Sequence, residues 1–363
     1  MHTRDQSRAR FKAAVVGGTG YGGAELIRLL MGHPSVALTR VSSIDSVNKP
    51  LEQVHLSLTD TGMIFEEIPL EEAARGVDVL FLALPHKIPA KMAPELERLP
   101  CKVIDLSGDF RLRDEGAYAK YYGGAHPHPE QLDGRWVFGL PELFSEEIRR
   151  ATRVASPGCF ATTIMLGLLP LAKAGLLKGA VQTVASTGSS GSGAYAKDGT
   201  HHPVRANNLK SYKHLSHQHT PEITRVLREA MHAAGHDHHF TLHFMPRSAP
   251  MPRGILATSF VRLPESTTDA EIDAIYRGFY ETAAFVRVFG CGARSAEVVA
   301  VKGSMWVDLS WAISEPDGEG RQLAVDTALD NLVKGGAGQA VQSMNLMLGL
   351  PEREGIDAPA LWP

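Results

Sequence analysis

Ala13-Ala14-Val15-Val16-Gly17-Gly18-Thr19-Gly20-Tyr21-Gly22-Gly23-Ala24-Glu25-Leu26-Ile27-Arg28-Leu29-Leu30 reads as a buried strand, a glycine turn and a helix. Gly18, Gly20 and Gly23 match G-x-G-x-x-G, and Gly17, Gly20 and Gly23 give the looser G-x-x-G-x-x-G. Both spacings let backbone amides approach a pyrophosphate at a helix N-terminus. A plain tight turn would also tolerate glycines. The strand-to-helix context favours nucleotide binding, with Gly17, Gly18, Thr19, Gly20, Tyr21 and Gly22 as the contacts.

The following segments continue the same alternation. Val36 to Val41 predicts a second strand, ending in Ser42-Ser43-Ile44-Asp45. A site for NAD usually carries an acidic residue there to hold the ribose 2′-hydroxyl. Ser42 and Ser43, with Arg40 and Lys49 nearby, suit a 2′-phosphate instead and predict NADP(H); Asp45 argues the other way. Val77 to Leu84 and Lys102 to Leu106 predict further parallel strands, separated by a helix from about Pro89 to Leu99. The second of these delivers Ser107-Gly108-Asp109-Phe110-Arg111 to the carboxyl edge of the sheet, where open doubly wound folds bind ligands. Ser107 and Arg111 are therefore candidates for a substrate phosphate. The alternative for Arg111 is pairing with Asp109 or Asp114. Trp136 to Leu143 is expected to pack the domain edge.

In Ser156-Pro157-Gly158-Cys159-Phe160-Ala161-Thr162-Thr163, a short strand (Arg153 to Ala155) turns into an apolar helix over Ile164 to Leu171. Cys159 thus stands at a helix N-terminus, where orphan amides and the helix dipole favour thiolate. Beyond it, a strand from Val181 to Ala185 opens into Ser186-Thr187-Gly188-Ser189-Ser190-Gly191-Ser192-Gly193, small residues that let backbone lie against a ring or a phosphate. In His217-Gln218-His219-Thr220-Pro221-Glu222, Thr220 and Pro221 read as an N-cap and first helical residue. That fixes His219 beside a helix running to about Ala233, as suits a general acid or base. Remaining strands are expected at 240–244, 254–261 and 306–313, with a helix at 269–281. Cys291 reads as a turn residue, and Leu323 to Leu348 as two helices broken by Gly335, Gly336 and Gly338, returning to the first domain.

Composition narrows the function classes. A chain of 363 residues predicts two domains, and a net charge of -3 leaves no basic footprint for nucleic acid. Three cysteines without framework or metal spacing fit a reducing compartment, the cytoplasm by default. His236, His238 and His239 lack companions at ligand spacing, so no metal is expected. No apolar run predicts a membrane span or a signal peptide.

Taken together, Gly17 to Gly23, Ser107 to Arg111, Gly139 to Leu143, Ser156 to Cys159, Gly188 to Gly193, His217 to Ile223 and Asn331 to Ala340 resemble the N-acetyl-γ-glutamyl-phosphate reductase family, relatives of aspartate-semialdehyde dehydrogenase. The resemblance implies an α/β fold with a Rossmann doubly wound parallel sheet plus an α+β catalytic domain with a mixed sheet. It implies a discontinuous NADP-binding domain (residues 1–158 with 326–363) and a catalytic, substrate and oligomerisation domain (159–325). Cys159 would be the nucleophile that forms a thioester, His219 or His217 the acid/base, and Gly188, Ser190, Gly191 and Asn331 further cofactor contacts. The reaction implied is NADPH-dependent reduction of an acyl phosphate to a semialdehyde in arginine biosynthesis, by a homodimer or homotetramer.

One departure bears on the substrate. The family's Ser-Gly-Ala-Gly-Arg is replaced by Ser190-Gly191-Ser192-Gly193-Ala194, so the usual arginine is missing. This resembles the branch acting on an acyl phosphate attached to a small acidic amino-group carrier protein in lysine or ornithine synthesis. Tyr195, Lys197, His201, His202 and Arg205 would then form a different acceptor for the substrate's far end, with Tyr212 and Lys213 also at the substrate. Two other classes are a reductase without a covalent step and a catalytically silent nucleotide sensor.

Overall fold

The structure is a computed structural model that describes residues 9–362. It divides into two units, one running to Pro157 and taking up Gly336–Ala358, the other Gly158–Gly335 with the residues from Pro359.

The first unit is built on β1 (Phe11–Val16), β2 (Val36–Ser42), β3 (Val79–Leu82), β4 (Lys102–Asp105), β5 (Val137–Phe138) and β6 (Arg153–Ala155). All pair in parallel, in the order β2-β1-β3-β4-β6-β5. The central strands read as unbroken apolar runs because both faces are covered; Val79, Leu80, Phe81 and Leu82 are all fully buried. The strand order reverses between β1 and β3, so a crevice opens at their carboxyl ends. The glycine turn follows β1 at this point. The expected edge stretch contributes β5 at the sheet margin. The helix expected near 89–99 is split into Ile88–Lys91 and Ala93–Arg98. Asp109 caps the first of these, accepting from the Lys87 and Ala90 amides at 2.9 Å.

The second unit carries β7 (Gly179–Thr187), β8 (Lys210–Ser211), β9 (Phe240–Ser248), β10 (Ile255–Leu263), β11 (Val286–Cys291), β12 (Val307–Ile313) and β13 (Arg321–Leu329). They form one mixed sheet in the order β11-β12-β13-β10-β7-β9-β8. The helix Cys159–Lys173 packs against β10 and β13, with Phe160 through Ala172 all buried. Pro170 inside that helix cannot donate to the Leu166 carbonyl, which instead accepts the Tyr280 hydroxyl, while Tyr276 donates to the next carbonyl, Gly167, at 2.6 Å. Gly167 is small for a reason: a Cβ there would sit 2.5 Å from Thr327 Oγ1 of β13.

Three expectations need correction. The first half of Leu323 to Leu348 is not a helix; burial alternates through Leu323, Val325 and Thr327, and β13 pairs antiparallel with both β10 and β12. Only Gly338–Met347 is an α-helix, reached through a turn over Val333–Ala337. The strand therefore runs through residue 326, the expected return point, and the chain leaves the second unit after Gly335. Cys291 ends β11 instead of lying in a turn, because Arg287 to Cys291 pair with β12. Thr220 is not the N-cap: it is the first residue of the helix Thr220–Ala233, its buried hydroxyl makes no hydrogen bond, and His219 occupies the cap position.

Candidate functional site

In the first unit, the Gly17 and Gly18 amides both donate to the Ser42 carbonyl, at 3.0 and 3.1 Å, which turns the chain sharply at the end of β1. Gly17 takes φ +88, and a Cβ on it would meet the Ala83 carbonyl oxygen at 2.7 Å. A Cβ on Gly23 would strike Gly18 at 2.7 Å, so helix and turn pack backbone to backbone. Gly20 and Gly22 differ, since nothing lies within 4 Å of a Cβ built there. The helix Tyr21–Met31 has no side-chain N-cap and no acidic residue in its first turn. A closed turn backing onto the sheet, open space in front and helix-end amides without a capping side chain fit a dinucleotide pyrophosphate. Thr19 and Tyr21 flank that open backbone.

At the end of β2, Ser42 and Ser43 are buried, and the Ser43 hydroxyl accepts the Asp45 amide at 3.1 Å. Arg40 is engaged by Glu72, at 3.4 Å for the ion pair and also through the Glu72 carbonyl. It is thus held away from the role of isolated cation that its position suggests.

Ser107 and Arg111 are both buried and both occupied structurally. The Ser107 hydroxyl donates to Asp105 at 2.6 Å and accepts the Asp109 amide at 3.1 Å. Burial pushes the Asp105 carboxyl up to about 7, against the Ser107 hydrogen bond, which favours its ionised form. Arg111 Nε donates to the Ser156 carbonyl and one terminal nitrogen to the Leu106 carbonyl, each at 2.7 Å. It ties the end of β4 to the turn that precedes Cys159.

In the second unit, Cys159 opens its helix with Gly158 as N-cap (φ -72, ψ 150), no capping side chain and no acidic residue in the first turn. The first-turn amides are left for an anion. Gly335 comes close, where a Cβ would lie 2.9 Å from the Cys159 Cβ. His219 lies directly over Gly158: a Cβ added to that glycine would be 2.2 Å from His219 Nε2. The structure therefore brings Cys159 and His219 together, although sixty residues separate them in sequence.

The two histidines are not equivalent. His217 is enclosed by Phe160, Phe244 and Tyr212, with ring centroids 5.3 to 5.9 Å away, and its Nδ1 accepts the His219 backbone N–H at 3.2 Å. An Nδ1 that accepts carries no proton, so His217 is the neutral, Nε2-protonated ring. Burial, with Lys213 adding to it, pulls its pKa down to about 3. It is held neutral through the physiological range and fixes the backbone of His219. Glu222, fully buried one helical turn on, places Oε1 3.9 Å from His219 Nε2. Sequence reading gives Glu222 no role, though its spacing from His219 on a helix places both on one face.

A stability prediction follows from His217. Its folded pKa is depressed, so above the unfolded value near 6.5 both states are neutral and its full contribution is present. As pH falls towards 3 the unfolded chain binds a proton that the folded chain does not, and stability drops by up to ~1.4 kcal/mol per pH unit. His217→Phe should flatten this acid limb in urea titrations between pH 6.5 and 4; an unchanged slope would refute the buried neutral ring.

The other sequence candidates fall around this cluster or away from it. Tyr212 is half-buried, and burial and the Cys159 sulfur both raise its phenol pKa. Arg205 is also half-buried; its terminal nitrogen donates to the Thr187 carbonyl at 3.2 Å, while Nε is buried without a hydrogen-bond partner. Lys213 is exposed and binds Gln218 at 2.7 Å. His202 lies on the surface at the start of the short helix His202–Arg205. Asn331 is committed to the second unit's own architecture: its carbonyl accepts the Gly254 amide at 2.7 Å and its amide donates to Ser190 Oγ at 3.0 Å. With Gly188 N–H on the Gly254 carbonyl and Ser190 N–H on Pro252, it locks the turn through Gly191 in place. Among the described residues no group of three or more histidine, cysteine or carboxylate side chains could hold a metal ion, and no helix is long and apolar enough to cross a membrane.

Comparison with known proteins matches two family descriptions, "Semialdehyde dehydrogenase, NAD binding domain" over residues 12–151 and "Semialdehyde dehydrogenase, dimerisation domain" over 159–331. The chain is 39% identical to the [LysW]-L-2-aminoadipate 6-phosphate reductase of Deinococcus radiodurans, over 96% of this chain and 97% of that protein. It is 40% identical to the N-acetyl-gamma-glutamyl-phosphate reductase of Dehalococcoides mccartyi, over 98% and 99%. Among solved structures, aspartate semialdehyde dehydrogenase II of Vibrio cholerae superposes with a TM-score of 0.69 at 16% identity, over 94% of this chain and 98% of that one. Aspartate semialdehyde dehydrogenase with NADP from Candida albicans gives 0.65 at 15%, over 94% and 99%. At these identities the likeness is one of fold.

Proposed function

Because the chain belongs to the semialdehyde dehydrogenase family, we propose that it reduces N-acetyl-γ-glutamyl phosphate with NADPH to N-acetylglutamate 5-semialdehyde and phosphate. The observation that carries this is the imidazole of His219 lying on Gly158, next to a cysteine at an uncapped helix end. A thiolate, an adjacent proton carrier and a dinucleotide turn are the parts an acyl-phosphate reductase needs.

The Cys159 sulfur attacks the acyl carbon, the C–O bond to phosphate breaks, and a thioester remains on the enzyme. His219 takes the thiol proton and hands it to the departing phosphate. The glycine turn and Ser42, Ser43 hold NADPH, with Gly188, Ser190 and Gly191 as further contacts and Asn331 holding their turn in place. When bound, the reduced nicotinamide supplies the hydride that brings the thioester carbon to the aldehyde level. The tetrahedral oxyanion then collapses, the C–S bond breaks, and the sulfur regains a proton from solvent through His219, so one proton is consumed per turnover. His217 holds His219 in place and Glu222 steadies it when it is cationic. Arg205, with its buried Nε lacking a partner beside Tyr212, is suited to an anionic group of the substrate, as is Lys213, with His202 further out. Arg111 and Ser107 act by fixing the strand end and the cysteine turn.

The departure from the family's arginine loop, and the name of the Deinococcus relative, favour a second reading in which the acyl phosphate is carried by a small acidic protein. The basic run Lys197, His201, His202 and Arg205 would then meet the carrier-bound substrate. The chain acts as a homodimer or a homotetramer; the description of the second matched region, a dimerisation domain, supports association of copies. NADPH oxidation should be followed with free N-acetyl-γ-glutamyl phosphate, and with glutamyl and aminoadipyl phosphate on the carrier. Turnover with the free substrate at saturating concentration upholds the first reading, and turnover with the carrier-bound substrates alone upholds the second. No oxidation with any of them sinks both.

A further inference from the structure

Between β2 and β3 the chain does not cross over in a single helix. It makes an excursion pinned to β2 by a bridge between Ser42 and Glu66 and closed on itself by one between Pro50 and Ile64, with one short helix at Leu51–Val54 and another at Leu70–Ala73. His55 follows the first of these. Its backbone N–H donates to the Leu51 carbonyl at 2.8 Å, and its ring stands edge-on to the buried Phe65, with centroids 5.9 Å apart. From there Nε2 reaches the Gly18 carbonyl oxygen at 2.8 Å. A carbonyl can only accept, so Nε2 carries the proton.

We infer that His55 is a positioning residue for the dinucleotide, acting through the Gly18–Thr19 peptide. A trans peptide is planar, so pinning the Gly18 carbonyl towards His55 turns the Thr19 N–H the opposite way. The amides of Gly17 and Gly18 are spent on Ser42, and Gly23 packs against the Gly18 carbonyl, where a Cβ on Gly23 would lie 2.7 Å from the oxygen, but that packing carries no hydrogen bond; the His55 donor supplies the directional tie on this peptide plane. Glycine-flanked peptides rotate readily, and an amide donor must already face the phosphate to contribute its full strength. His55 removes that freedom before the ligand arrives. The inference needs only the nucleotide turn and is independent of which acyl phosphate is reduced.

NADPH affinity should be measured by fluorescence titration without acyl phosphate, alongside the melting temperature of the ligand-free chain. His55→Phe keeps a ring against Phe65 but loses the donor, and should bind NADPH about tenfold more weakly, the equivalent of one lost hydrogen bond. His55→Asn, too short to reach Gly18, should behave alike, whereas His55→Gln keeps an N–H within reach and should stay within about twofold of the native affinity, taking tenfold as the value of one bond. Native affinity in the Phe or Asn variant overturns the inference. So does a loss shared in full by His55→Gln, or one that tracks a fall in the melting temperature.

Discussion

Replacing Cys159 by serine is expected to lower turnover by at least about 10³-fold while leaving NADPH affinity unchanged. The two side chains are nearly isosteric, and serine is well tolerated in the first turn of a helix, so the fold should not suffer. What changes is the nucleophile. A hydroxyl at that position is almost wholly protonated at neutral pH, and an oxygen ester would be a poorer acceptor of hydride than a thioester. The first turn of Cys159–Lys173 carries no carboxylate to oppose a negative sulfur, and Tyr212 already feels that sulfur through its own raised pKa. Cys101 cannot substitute, since it is buried and burial pushes its thiol pKa up. A serine variant that turns over at a comparable rate would mean hydride transfer without a covalent step. A native chain that binds NADPH yet reduces no acyl phosphate would instead identify a nucleotide sensor.

How much of this was legible in the sequence depends on the range over which each feature is specified. The parallel sheet is specified locally: apolar runs such as Val79 to Leu82, each followed by a turn, leave little choice of structure, and the glycines after β1 mark the ligand edge. β13 escaped because its residues, Leu323-Ala324-Val325-Asp326-Thr327-Ala328-Leu329, contain more helix formers than strand formers; pairing with β10 and β12 on both sides decides it. The cysteine turn and the His-x-His stretch could each be recognised, but not the glycine whose missing Cβ lets them meet. The same holds for Arg111 and Asn331, whose residue types suit ligands and whose side chains reach the Ser156 carbonyl and the Gly254 amide, 45 and 77 residues away. Nothing local distinguishes His55 from the other fifteen histidines; only the folded excursion brings it to Gly18.

That missing Cβ gives the second large effect. Gly158→Ala should reduce kcat about 10²-fold or more with NADPH affinity intact, because a methyl group there would lie 2.2, 2.5 and 2.6 Å from His219 Nε2, Cε1 and Cδ2. The backbone itself is no obstacle, since φ -72 and ψ 150 are open to alanine. The clash must therefore be relieved by the imidazole, and its surroundings leave it little room: the His217 ring stands 4.6 Å away between centroids, Phe160 6.2 Å, and the Glu222 carboxylate is buried beneath. Displaced by an ångström or more, the ring loses its line to the neighbouring sulfur. A double-mutant cycle separates this from a general loss of packing. If Gly158→Ala acts through His219, adding it to His219→Ala should cost almost nothing further, because the group it displaces is already gone. Full additivity of the two changes, or native kcat in Gly158→Ala alone, would show that the imidazole over Gly158 is not the proton carrier.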